Sequence, residues 1–195
     1  MKLFYVDMRS TLIISLLLVF LGFGWLTPTR AYAQTQSVGA WDVEGSVGYF
    51  TPDLEDSNHG YLISVAAGRH LSTGFIVSGE LGIGHTYERY RNDDEFFPGN
   101  RQYTTHYLFR LRFRYPVVTK ERQQIGLNGG LMYRRYYENF QGRPIQGEYG
   151  GLLFGLQYTY DLRPLRVGLR LDTHLRYNDG LGGYIVTPFV ALTMP

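Results

Sequence analysis

Between residues 103 and 117 the chain alternates so strictly that only a two-sided strand accommodates it. One parity reads Tyr103, Thr105, Tyr107, Phe109, Leu111, Phe113, Tyr115 and Val117. The other reads Thr104, His106, Leu108, Arg110, Arg112 and Arg114. Successive side chains of a strand point to opposite faces, so this segment carries one apolar face and one cationic face. A helical period would mix the two sets.

The same period of two recurs in eight segments, at about residues 39–50, 60–70, 75–90, 103–117, 124–138, 148–161, 165–178 and 183–194. In the first, Trp41, Val43, Val47 and Tyr49 oppose Asp42, Glu44 and Ser46. In the seventh, Leu165, Val167, Leu169, Leu171 and Leu175 oppose Arg166, Gly168, Arg170, Asp172, His174 and Arg176. The connections after the first, third and fifth segments read as long (TPDLEDSNHG, RNDDEFFPGNRQ, NFQGRPIQGE). LSTG and DLRP read as tight turns, and PVVTKERQQ is longer than a hairpin needs. Long and short connections therefore gather at opposite strand ends.

Upstream, Lys2 and Arg9 precede a 15-residue apolar run at 12–26, then Pro28 and Ala31-Tyr32-Ala33. The run is shorter than the about 20 residues of a spanning helix. Basic start, apolar run and small residues are the marks of a cleaved Sec signal peptide over 1–33. A short leader, 34–38, and a single barrel domain, 39–195, follow. Cleavage removes three of the 19 basic residues and one of the 17 acidic ones, leaving sixteen of each. A neutral mature chain gives no electrostatic case for nucleic acid. With no cysteine there is no disulfide frame, thiolate metal site or lipid anchor.

Eight antiparallel strands in sequence must close or cover their edges, and an eight-stranded barrel has room inside for little more than side chains. The polar faces hold many of the 24 glycines along with Ser, Thr and Ala, whereas the apolar faces are bulky. The polar face therefore belongs inside and the apolar face outside, where lipid is the fitting solvent. The arginines agree: each would cost about 2–4 kcal/mol facing lipid near mid-membrane. The expected fold is all-β, an eight-stranded antiparallel up-and-down transmembrane β-barrel. Inside it, Arg110, Arg112, Arg114, Arg134, Arg170 and Arg176, with His174, meet Glu44, Glu80, Glu138 and Asp172 in a polar network that fills the lumen. Arg166 and His106 share that side. Trp41, Phe75 and Tyr115 toward one border, and Tyr49, Tyr61, Tyr103 and Tyr184 toward the other, are expected to form interface girdles. Tyr87, Tyr137, Tyr149 and Tyr177 join the second row.

A signal peptide followed by eight alternating strands, with a Gly-rich face bearing Arg and Glu, resembles the small OmpA/OmpX-like outer-membrane β-barrels. The resemblance covers about 39–194. It implies a bacterial outer-membrane location, lipid and the barrel assembly machinery as partners, a monomer, and no enzymatic activity. It also implies a structural or surface-interaction role through the longer connections, with no surface partner named. Such barrels usually end in an aromatic residue read during assembly; here the chain reads Leu192-Thr193-Met194-Pro195.

Three alternatives carry different consequences. Seven inward arginines against four acids would favour anions if the lumen conducts, giving a narrow, weakly anion-selective pore. Outer-membrane lipid A deacylases carry a His-x-Ser-Asn pattern, but this chain reads His174-Leu175-Arg176-Tyr177-Asn178, and no serine follows Leu81. Gly39-Ala40-Trp41 echoes the start of lipocalins, soluble barrels in which the apolar face would turn inward around a ligand. Asp93-Asp94-Glu95 lacks calcium-loop spacing, the five histidines lack zinc spacing, and the glycines near Glu80 are followed by no helix or P-loop lysine, so no metal or cofactor is expected.

Overall fold

The computed structural model describes residues 38–52, 59–71, 75–87, 103–140, 143–176 and 180–194. Residues 1–33, where a signal peptide is expected, and the connection containing Asp93 lie outside them. The described residues form eight strands: β1 (Trp41–Thr51), β2 (His59–His70), β3 (Ile76–Tyr87), β4 (Tyr103–Lys120), β5 (Gln123–Phe140), β6 (Arg143–Asp161), β7 (Leu165–Arg176) and β8 (Gly180–Met194). Each pairs antiparallel with its sequence neighbour, and β1 pairs with β8, so the sheet closes in the order β1 to β8.

Burial alternates with the sequence. Along β2 every second side chain from Leu62 to His70 is buried and those between are exposed. On β4, Arg110, Arg112 and Arg114 are buried, while Tyr107, Phe109, Phe113 and Tyr115 are exposed. Charge inside and hydrocarbon outside is the reverse of a water-soluble barrel. Glycine makes the interior possible: a methyl at Gly155 would run into the Asp172 carboxylate and the Leu171 carbonyl.

Two connections are shorter than the sequence suggests. NFQGRPIQGE is mostly strand, because β5 runs to Phe140 and β6 starts at Arg143. Proline and glycine there mark polar strand ends rather than a loop, and the ladder continues to Phe140↔Arg143. PVVTKERQQ contains a hairpin turn at 121–122, with Glu121 in the left-handed region (φ 48°). The extra length is a bulge: Pro116 faces Gly126 and Val118 faces Ile125, leaving Val117 as the additional residue. A bulge resets the alternation. Val118 is accordingly the exposed residue and Val117 only half-buried, which corrects the placement of Val117 on the outer face.

Candidate functional site

The interior is stacked in three tiers, each set by the height at which strand residues fall. The middle tier centres on Glu80 of β3 and Asp172 of β7. Glu80 accepts from Arg110, from Ser64, from Arg112 (2.6 Å) and from Arg170 (3.3 Å). Asp172 takes Arg112 at 2.9 Å and lies 3.7 Å from Arg110. Arg170 also pairs with Glu44. Arg110, Arg170, Glu80 and Asp172 are all completely or almost completely buried. Such charges are tolerable only because each carboxylate meets several donors.

The second tier lies at the end with the tight turns and is organised by Asp42. Its carboxylate receives Arg166, Arg114 (3.2 Å) and the Thr193 hydroxyl (2.8 Å), and His70 Nε2 lies 2.8 Å from it. Five strands thus converge on one side chain, including both strands of the β1–β8 seam. The network expected from sequence omits Asp42, although the alternation of β1 placed it inward. Between these tiers a cavity of about 20 Å³ is lined in part by Asp42, Glu44, Arg112 and Arg114. That is room for about one water.

The third tier, toward the opposite end, is apolar. Phe50, Leu62, Leu108, Met132 and Ile185 are buried together, with Tyr149 packed against them. His106 meets Phe50 edge-on and bonds Thr86 at 2.8 Å. Arg134 lies over the Tyr149 ring at 3.9 Å. His174 accepts the Gly183 N–H at 3.1 Å where β8 bulges beside β7, and its Nε2 lies 3.1 Å from the Tyr149 hydroxyl. Tyr149 is therefore an interior residue, not part of a membrane girdle. Its odd position shares the parity of buried Leu153, a signal already present in the sequence.

The expected lumen residues do not all meet. Glu44, Glu80, Arg110, Arg112, Arg170 and Asp172 come together; Arg114 joins Asp42 instead; Arg134 and His174 belong to the aromatic tier. Glu138 is half-buried opposite Thr104 and Ile145, with no ion pair among the described residues. The Arg176 side chain and Tyr177 lie outside the described residues.

The outer wall carries Val65, Leu81, Leu131, Leu169 and Val190, each at least half exposed. Aromatic rings gather at both borders. Tyr49 stacks on Tyr184 (5.8 Å), Tyr87 meets Tyr103 (5.1 Å), and Tyr61 leans on His85 (5.5 Å) at one end. Phe75 packs on Tyr115 (4.9 Å) at the other, where Arg69 covers Trp41. No cluster of potential metal ligands occurs among the described residues.

A closed eight-stranded antiparallel barrel is the fold found in solved small outer-membrane β-barrels. Solved structures agree on the fold. The N-terminal β-barrel domain of OprF from Pseudomonas aeruginosa aligns with a TM-score of 0.56 at 12% identity, over 82% of this chain and 100% of that one. Neisserial surface protein A gives 0.57 at 13% identity, over 80% and 97%. Ail, the attachment invasion locus protein of Yersinia pestis, gives 0.51 at 9% identity, over 80% and 99%. No protein-family model and no curated protein matches the sequence.

Proposed function

We propose that this chain is a non-enzymatic outer-membrane β-barrel whose lumen is plugged and whose role is structural or in surface interaction. The observation that carries the reading is the inverted solvent logic. A continuous apolar wall faces outward, while Arg110, Arg170, Glu80 and Asp172 lie buried within. The wall needs lipid. The interior cavity between the two charged tiers, about 20 Å³, is far too small for a ligand, which weighs against a lipocalin-type binder. Export through a signal peptide, assembly by the barrel machinery and a monomeric state fit this reading. Similarity to Ail, whose name refers to attachment and invasion, favours contact at the cell surface as the role.

The narrow anion-selective pore has one observation in its favour. Five arginines (Arg110, Arg112, Arg114, Arg166 and Arg170) share four carboxylates (Asp42, Glu44, Glu80 and Asp172) in the two charged tiers. Cell fractionation with gel mobility tests the main reading. The protein should enter the outer-membrane fraction, run compact when unheated and migrate differently after boiling. A soluble protein that needs no detergent would overturn it.

A further inference from the structure

We propose that Arg135, on the outer wall of β5, seats the phosphate group of a lipid in the outer leaflet; this rests on the membrane-barrel reading above. Arg135 is an outward-facing cation on an otherwise apolar and aromatic stripe. Along β5 the outward residues are Ile125, Leu127, Gly129, Leu131 and Tyr133, then Arg135 and Tyr137. Ten residues separate Ile125 from Arg135; at about 3.3 Å per residue and a tilt of about 40°, that is about 25 Å of height. An apolar band of about 25 Å is what such a barrel presents to lipid. Arg135 therefore stands at the border where headgroup phosphates lie.

Its surroundings hold the guanidinium there. It lies over the Tyr137 ring at 5.1 Å, and its Nη2 donates to Gln146 Oε1 at 3.3 Å. Tyr107 is its register neighbour on β4, and Tyr107 meets Tyr137 edge-on at 5.8 Å. Glu148 is its register neighbour on β6, yet that carboxylate accepts the Tyr133 hydroxyl at 2.5 Å, and Arg135 makes no ion pair among the described residues. A planar cation held by an aromatic face and one side-chain amide keeps donors pointing outward. Guanidinium matches phosphate with paired hydrogen bonds, while the rings of Tyr107 and Tyr137 lie against the upper part of the acyl chains. Glu148 tempers the affinity by its charge.

The test uses the full chain in dodecyl maltoside, which carries no phosphate. Binding of fluorescent phosphatidic acid is compared with that of the matching diacylglycerol by anisotropy. The folded protein should prefer phosphatidic acid, and Arg135→Ala should lower that affinity by about tenfold, which corresponds to about 1.4 kcal/mol. Arg135→Lys should retain part of the preference, because a point charge lacks the fork. Glu148→Gln should raise it. Heat-modifiable mobility checks that each variant is folded. If folded wild type binds both lipids alike, or folded Arg135→Ala keeps the full preference, the seat is wrong while the membrane barrel stands. If inorganic phosphate displaces the lipid at equal concentration, the lipid origin is wrong. If wild type fails to insert into phosphatidylcholine vesicles, both readings fall.

Discussion

Glu80 is the residue on which the interior charge turns. It serves three guanidinium groups and the Ser64 hydroxyl from a site with no access to water. Replacing it with alanine leaves Asp172 and Glu44 to hold Arg110, Arg112 and Arg170. A buried charge that loses its partner costs about 3–5 kcal/mol. Glu80→Ala should therefore lower the unfolding free energy of the refolded barrel in detergent by that amount, read as a drop in its urea midpoint. Glu80→Gln should cost less, since the amide oxygen still accepts from one arginine. An unchanged midpoint for Glu80→Ala would mean that the charged tier contributes nothing to stability. Asp42 makes the comparable case at the turn end. Its carboxylate takes two arginines and Thr193, with His70 alongside, and Asp42→Ala should destabilise within the same range.

At the scale of the strand, alternation made most of the fold legible. Leu111 and Arg112 could not share a face, and eight such segments left closure as the way to remove free edges. What the pattern could not carry was a change in its own phase. The bulge at Val117 inserts one residue, so counting by twos from Tyr103 misplaces everything after Pro116. Pro144 and Gly147 read as loop residues because their conformational habits are strong, yet they sit in the β5–β6 ladder. Which carboxylate would meet which arginine was equally hidden, because partners such as Arg166 and Asp42 are 124 residues apart and meet only across the closed barrel. Depth along a strand is testable. Leu81 lies mid-strand on β3 and is highly exposed, whereas Val118 lies near the turn end of β4. Leu81→Arg should cost about 2–4 kcal/mol in lipid bilayers, and Val118→Arg only about 0–1. Equal costs, measured by unfolding in vesicles, would contradict the orientation given to the wall.

For the molecule as a whole, the question is whether ions pass, and the three tiers argue that they do not. An ion would have to cross the Asp42 cluster, then the Glu80–Asp172 cluster, then the apolar contact of Phe50, Leu62, Leu108, Met132 and Ile185. The first two would need ion pairs opened without water to replace them. The third is closed by packed apolar side chains, and the polar groups beside them, His106, Arg134 and His174, are already engaged with a hydroxyl, an aromatic ring and a backbone N–H. Because the tiers are in series, opening one leaves the others shut. Planar-bilayer recordings of the wild type should accordingly show no steady current, and neither should Arg110→Ala or Leu62→Ala alone. A combined Arg110→Ala, Arg114→Ala and Phe50→Ala variant thins all three tiers and should conduct if it still folds by the gel-mobility criterion. Steady anion-selective current through the wild type would sink the plug and make the surplus of arginine over carboxylate a functional feature. Current from Arg110→Ala alone would locate the barrier in the middle tier and leave the other two as packing.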